Sequence, residues 1–218
     1  MLSKLGDLCE RMGFRPYEFV SGYSPDRAGD PLSGFGHRTF LPADAVSLVR
    51  GIQSILNEYG SIAALCESHI TQNDQHIGPA IEALSSTLLR SPEEMPVRMR
   101  KHLPRPSAGS ACKRLCMFFR WMVRGGPVDL GIWKFIKPDQ LIVPLDVHSG
   151  RQARAIGILK RKSNDWRAAL ELTAACRLLD PHDPVRYDFA LFGTGIAGET
   201  LSWPANQSLP RSSPCTWS

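Results

Sequence analysis

Residues 103–124 have the sequence Leu-Pro-Arg-Pro-Ser-Ala-Gly-Ser-Ala-Cys-Lys-Arg-Leu-Cys-Met-Phe-Phe-Arg-Trp-Met-Val-Arg, and this stretch decides the predicted fold. The two prolines, the serine and the glycine within residues 103–109 predict a tight turn at residues 106–109. A strongly apolar helix follows, and Gly125 and Gly126 end it. We expect this turn to join two antiparallel helices.

Outward from this stretch, helical spacing of apolar residues dominates the chain. Residues 15–36 are rich in Gly, Pro, Ser and Asp and predict a loop, and residues 200–218 are rich in Ser and Pro and predict a disordered tail. Residues 142–145 form a short apolar run without partner strands, so we interpret them as an extended approach to a helix. The sequence therefore predicts an all-α fold with one helical domain over residues 1–199. The further predicted helices cover residues 2–12, 42–60, 62–66, 77–89, 92–100, 147–159, 166–179 and 185–192.

Composition narrows the class of protein. The chain has 218 residues, 43% of them hydrophobic, which suffices for a buried core. No apolar run approaches the ~18 residues of a membrane span, and the N-terminus lacks the pattern of a signal peptide. We therefore expect no membrane association and a cytoplasmic location.

Positive charge is concentrated in two stretches that contain no acidic residue, within a formal net charge of +5. Such stretches are typical either of solvated helix faces or of a surface that binds phosphates. Because the two stretches flank Asp146, a candidate catalytic acid discussed below, we favour the phosphate-binding interpretation. The basic residues are Arg98, Arg100, Lys101, Arg105, Lys113, Arg114, Arg120 and Arg124 in the first stretch, and Arg151, Arg154, Lys160, Arg161 and Lys162 in the second.

The six cysteines do not suggest a metal site. Cys112 and Cys116 lie one helical turn apart, but no nearby third or fourth ligand completes a zinc or iron–sulfur set. We expect reduced thiols packed in helices and no cofactor.

Two segments resemble the helix-hairpin-helix DNA glycosylases. Residues 103–111 resemble the hairpin Leu-Pro-Gly-Val-Gly of endonuclease III-like enzymes, with Gly109 at one glycine position and Ser107 at the other. In that hairpin, backbone N–H groups at a helix N-terminus hold a DNA phosphate. Residues 144–151, Pro-Leu-Asp-Val-His-Ser-Gly-Arg, resemble the segment Val-Asp-Thr-His-x-x-Arg, whose aspartate caps a helix and faces the target nucleotide. Asp146 holds that position, and simple helix capping is its alternative role.

A closer resemblance, over residues 16–195, identifies the chain as a member of a bacterial family of uncharacterised proteins that is remotely related to these glycosylases. The phrases that carry it include Phe-Gly-His-Arg-Thr-Phe at 35–40, Asp-Leu-Gly-Ile-Trp at 129–133 and Asp-Pro-Val-Arg-Tyr-Asp-Phe-Ala-Leu at 183–191. Relatives carry a further N-terminal helical stretch, so we expect this chain to lack part of that region. The segment from Thr200 resembles nothing in them.

The glycosylase resemblance implies a mechanism in which Asp146 stabilises the oxocarbenium character of the sugar while the N-glycosidic bond breaks. It implies double-stranded DNA as the partner. The residues assigned to DNA contact are Ser107, Gly109, Ser110, Lys113, Arg114, His148, Arg151 and Arg154, with a hydrogen-bonded structural role as the alternative for His148.

Strand-cleaving relatives use a lysine two residues after the last hairpin glycine, where this chain has Ala111. Lys113 lies about 200° further round a helix and is expected to point away from the site, so water is the preferred nucleophile. The iron–sulfur cysteine loop of many relatives is absent from the sequence. Two alternatives remain: a DNA- or RNA-binding module without chemistry, and an enzyme for another N-glycoside such as a nucleoside or a modified RNA.

Overall fold

The computed structural model describes residues 2–24, 29–90 and 97–202. These residues form α-helices and short 3-10 helices, and their only β-pairings are isolated bridges. This confirms the predicted all-α class. The α-helices are α1 (Leu2–Arg11), α2 (Pro16–Ser21), α3 (Pro42–Tyr59), α4 (Ile62–Glu67), α5 (Gly78–Leu89), α6 (Lys113–Val123), α7 (Val147–Ala155), α8 (Trp166–Leu179) and α9 (Asp188–Ala197), and the 3-10 helices are Val97–Lys101, Pro106–Ala108, Pro138–Gln140 and Pro184–Tyr187.

The chain divides into two compact units. The first unit comprises Met1–Cys66 and Ala83–Leu103, and the second comprises Glu67–Glu82 and Pro104–Ser218. None of the described helices is both long enough and apolar enough to cross a lipid bilayer.

The first unit is organised around α3. Pro42 opens this helix, the Leu41 N–H donates to Asp44 Oδ2 at 2.8 Å, and Gly60 in the left-handed region ends it at φ 78°. The carboxylate of Asp44 is fully buried and ion-paired to Arg98 at 3.0 Å. One core cluster joins two residues of α3, Ala45 and Val49, to four other buried residues, which are Val20, Tyr23, Leu32 and Phe35.

In the second unit, a buried extended segment leads into α7. Leu141, Ile142 and Val143 are completely buried. The Val143 N–H donates to Thr173 Oγ1 of α8 at 3.0 Å, so a side chain satisfies a backbone group that a partner strand would otherwise satisfy. This confirms the predicted extended approach to the helix.

Several predicted boundaries are wrong. The predicted loop 15–36 contains α2, which Pro16 opens at its first turn. The helix predicted over 147–159 ends at Ala155, because Gly157 takes a left-handed conformation at φ 79°. The last predicted helix is a 3-10 turn followed by α9, which extends to Ala197.

The predicted helical hairpin also takes a different form. The element directly before the turn is the 3-10 helix Val97–Lys101, and the other residues of the helix predicted over 92–100 lie outside the described residues. The turn itself is the 3-10 helix Pro106–Ala108, closed by Gly109 at φ 75°, and α6 begins only at Lys113. Most of the predicted disordered tail, residues 203–218, also lies outside the described residues, whereas the Leu201 N–H donates to Gln152 Oε1 at 2.8 Å.

Candidate active site

Asp146 is the N-cap residue of α7. Its Oδ1 accepts from the Ser149 N–H at 2.9 Å, and its own N–H donates to Ser149 Oγ at 2.9 Å. These reciprocal bonds satisfy backbone donors that every helix start leaves open, and they fix the direction of the carboxylate. The capping role expected for Asp146 is therefore confirmed, and its second oxygen is directed elsewhere.

The second carboxylate oxygen of Asp146, Oδ2, forms an ion pair with Lys113. Lys113 Nζ lies 2.5 Å from Asp146 Oδ2, and the two side chains keep exposed fractions of 31% and 18%. The expectation that Lys113 points away from the site is wrong. It assumed a helix already running at Ala111, whereas Cys112 adopts a left-handed conformation at φ 50° and α6 starts at Lys113 itself.

The ionisation of Asp146 is set by opposing effects. Partial burial disfavours the charged form, but the hydrogen bond from Lys113 and the bonds from Ser149 outweigh it, and the pKa of Asp146 lies below its ordinary value. At neutral pH this residue is therefore an anion held against a cation.

Helix α9 lies beside the Lys113–Asp146 pair and contributes Phe192 to its surroundings. The Phe192 ring centroid lies 4.5 Å from Lys113 Nζ, which is a cation–π contact. The same ring meets the His148 ring edge-to-face at 6.1 Å. The sequence analysis did not single out Phe192, because an isolated aromatic in an apolar helix carries no signal of its partner.

Asp188, the first residue of α9, belongs to a buried network of charged side chains. Asp188 Oδ2 accepts from Arg120 Nη1 at 2.6 Å, and Arg120 Nε lies 3.4 Å from Asp129 Oδ1. Burial raises the pKa of Asp188 to about 6, against the opposing effect of Arg120 and Lys113. Arg124 pairs with Asp183 at 2.8 Å. Arg120 and Arg124, which the sequence analysis counted among its basic residues, therefore bind carboxylates within the protein.

The turn at residues 106–109 is hydrogen-bonded to the side-chain carboxylate of Glu82. Ser107 donates its N–H and its hydroxyl to the two oxygens of Glu82, at 2.9 and 2.7 Å. The Gly109 N–H donates to Pro106 O, and Gly109 O accepts from the Trp166 N–H at 3.0 Å. Ser110 donates its N–H to Arg105 O at 3.3 Å. The donors assigned to a DNA phosphate at this turn are thus bonded within the protein.

Three further predicted DNA contacts also have partners within the protein. His148 Nδ1 and Arg151 Nη2 lie 3.2 and 3.1 Å from Gly195 O of α9. Arg154 bonds Arg161 O at 2.8 Å and Asn164 Oδ1 at 2.7 Å, and Asn164 donates to the Asp146 carbonyl. Arg154 is thereby linked to Asp146 through Asn164. Arg114, beside Lys113 at the start of α6, is exposed.

Five cysteines lie in the described part of the chain. Cys9, Cys66, Cys112, Cys116 and Cys176 are free thiols. Burial raises the pKa of the Cys112 and Cys176 thiols to about 12. Within the described ranges, no group of three or more His, Cys, Asp or Glu side chains has the arrangement of a metal site.

Comparison with known proteins identifies the family. Neither the curated proteins nor the solved structures gave a match. The model of one protein family matches residues 1–197. Because this match covers most of the 218 residues, the chain belongs to the family described as protein of unknown function (DUF2400).

Proposed function

We propose that this protein binds duplex DNA and releases a base from it by breaking the N-glycosidic bond, as a remote relative of the helix-hairpin-helix glycosylases. The observation that carries the proposal is the Lys113–Asp146 pair, with 2.5 Å between Nζ and Oδ2. The two residues are 33 positions apart in sequence. A cation and an anion of the types used in base excision thus meet where two helices begin, both partly open to solvent.

In this proposal Asp146 acts as the anion. The C1′–N bond breaks, the base departs with the bonding electrons and acquires a proton, and the sugar becomes positively charged. The carboxylate stabilises that charge, and water then adds its oxygen to C1′ and loses a proton. A carboxyl whose pKa is lowered suits this role, since it remains charged at neutral pH.

The position of Lys113 favours a second route on the same site. Asp146 can accept a proton from the ammonium, and the freed amine can attack C1′ as the base departs. Loss of a further proton and ring opening then give an imine between Lys113 and the sugar. The short Nζ–Oδ2 distance removes the geometric reason for preferring water as nucleophile.

Phosphate binding is supported by the start of α6. Its first turn contains no acidic residue, Cys112 makes no side-chain cap, and Lys113 and Arg114 add two positive charges to the positive end of the helix dipole. Asp146 already neutralises Lys113, so the exposed Arg114 is the charge at this helix start that a bound anion would compensate.

The second candidate is a DNA- or RNA-binding module without chemistry. It is favoured by the bonding of Asp146, whose Oδ1 accepts from Ser149 and whose Oδ2 accepts from Lys113. A carboxylate that accepts three hydrogen bonds from these two residues has a complete structural role as a helix cap and ion pair. In this second candidate function, the protein binds nucleic acid and breaks no covalent bond.

A panel of substrates separates these candidates. Duplexes with different damaged bases, a modified RNA and free nucleosides are incubated with the protein, and base release and binding are measured on each. We expect base release from at least one duplex. A borohydride-trapped complex that disappears in Lys113→Gln indicates the lysine route, and release without trapping indicates the water route. Binding without release from any member supports the non-catalytic module, and release only from nucleosides or RNA contradicts the DNA proposal.

A further inference from the structure

Helix α9 is attached to the rest of the second unit at both ends. At its start, Asp188 is 6% exposed and accepts from Arg120 Nη1 at 2.6 Å. Towards its end, Gly195 packs so closely on α7 that an added Cβ would lie 2.9 Å from His148 Cβ. The Gly195 carbonyl also accepts from Arg151 at 3.1 Å.

Phe192 lies between these two attachments, one helical turn after Asp188. Its ring covers one side of the Lys113 ammonium, at 4.5 Å from the centroid, while Asp146 binds Nζ at 2.5 Å. The direction of the Lys113 side chain therefore depends on the Phe192 ring. The position of that ring depends in turn on the position of α9.

The Arg120 guanidinium has two neighbours besides Asp188. It is buried, lies 3.4 Å from Asp129 and stacks over the Phe189 ring at 4.6 Å from the centroid. Arg120 belongs to α6, the helix that begins with Lys113, and Phe189 belongs to α9. Asp188 therefore joins the start of α9 to a buried side chain of the helix that carries Lys113.

We propose that Asp188 is a positioning residue for Lys113: by binding Arg120 it fixes α9 so that Phe192 holds the Lys113 amine against Asp146. Asp188 acts through Phe192 and does not touch the amine. The inference rests on the proposed function for the purpose of Lys113, but its test needs no DNA.

The test is competitive acetylation of Lys113 with a trace of acetic anhydride, measured by mass spectrometry with the other lysines as internal standards. Phe192→Leu removes the ring's cover, and we expect Lys113 to be labelled about two- to tenfold faster, as the energy of a partly buried cation–π contact implies. Asp188→Ala removes the anchor, and we expect an increase of similar size.

Combining the variants distinguishes positioning from general loosening. If Asp188 acts through Phe192, the Asp188→Ala/Phe192→Leu double variant is labelled no faster than Phe192→Leu alone. Asp188→Asn, whose amide oxygen still accepts from Arg120, restores slow labelling.

Thr173→Val serves as the control for lost stability. It removes a buried bond between Thr173 and the Val143 N–H, in which no residue of α9 takes part, and should leave Lys113 labelling unchanged. Fast labelling in Thr173→Val, additive effects in the double variant, or unchanged labelling in Asp188→Ala would each overturn the positioning role. Unchanged labelling in Phe192→Leu would show that the ring does not shield the Lys113 amine, and this result can be obtained even if Asp188→Ala fails to fold. Since every arm is read without DNA, none of these outcomes decides whether the protein releases bases.

Discussion

At the scale of single residues, two aspartates near Lys113 have opposite titration behaviour. The pKa of Asp146 is lowered through Lys113 and Ser149 against the effect of burial, whereas burial raises the pKa of Asp188 to about 6. Environments that separate two carboxyl pKa values in this way are typical of sites where one acid must stay charged and another can hold a proton.

Asp188 gives a pH dependence of known sign. Because its folded-state pKa is raised above the ordinary value of 3.8, protonation stabilises the folded state, and that contribution is complete below about pH 4 and lost as the pH rises through about 6. Asp188→Asn keeps the neutral form at every pH. We therefore expect the free energy of unfolding of this variant, relative to wild type, to increase by roughly 1–3 kcal/mol between pH 4 and pH 7.5 in urea titrations.

Asp180→Asn is the control for this titration. Its partner Arg186 lowers the pKa of Asp180, so stability from that pair is present at neutral pH and lost on acidification. That loss falls below about pH 4, so the relative stability of Asp180→Asn should stay nearly constant between pH 4 and pH 7.5. A constant difference between Asp188→Asn and wild type would contradict the raised pKa.

Sequence reasoning found Asp146 and Lys113 but not the network around them. The segment around Asp146 has local signals, since an aspartate three residues before Ser149 fits a helix cap. The ion pair of Arg120 with Asp188 spans 68 residues, and no local pattern connects them. Lys113 was misplaced because one left-handed residue, Cys112, changed where the helix begins.

At the scale of elements, the turn at 106–109 depends on Gly109. Its φ of 75° lies in the left-handed region, and a Cβ there would meet no atom within 4 Å, so conformational strain is the sole cost of a side chain. We expect Gly109→Ala to lower the free energy of unfolding by about 1–2 kcal/mol. Gly125, whose φ is not in the left-handed region and which also has open space, provides the matched control. An equal loss in Gly125→Ala would show that the strain at Gly109 is not the cause.

The same turn carries the contact between Glu82 and Ser107. Since the carboxylate takes both donors of Ser107 and places a negative charge on the turn, it opposes a DNA phosphate there. Glu82→Gln should tighten duplex binding by about two- to fivefold at low salt, which is the effect of one nearby charge. Fluorescence anisotropy measures it, with the exposed Glu67→Gln as a variant of equal charge change. Equal gains in both variants would mean that net charge alone is responsible, and weaker binding in Glu82→Gln would contradict competition at the turn.

At the scale of the whole molecule, the predicted basic surface is smaller than the sequence suggests. Arg120, Arg124 and Arg161 pair with aspartates, and Arg151 and Arg154 bind backbone carbonyls. Counts of charge cannot distinguish arginines that hold the fold from cations that face a partner. The all-helical class, by contrast, follows from the spacing of apolar residues and was predictable from the sequence.

The exposed cations that remain predict the salt dependence of binding. Arg114 and Lys162 are both exposed. If each neutralises one phosphate, Arg114→Gln/Lys162→Gln should reduce the slope of log affinity against log salt by about two. Arg186→Gln/Lys4→Gln removes two charges that already pair with aspartates, and should leave the slope unchanged. Equal slopes for both double variants would show that Arg114 and Lys162 are solvated charges.

The central claim, that the pair of Asp146 and Lys113 performs base release, is tested most directly by single-turnover base release from the duplex identified in the panel. Asp146→Asn keeps size and hydrogen-bonding capacity but removes the charge, so we predict a loss on the order of 10²–10³ in rate with duplex binding retained. Asp165→Asn is the matched control. Asp165 also caps a helix and pairs with an arginine, at 2.6 Å, and its replacement should leave the rate unchanged. Equal rates for Asp146→Asn and Asp165→Asn would contradict the account and leave Asp146 as a helix cap.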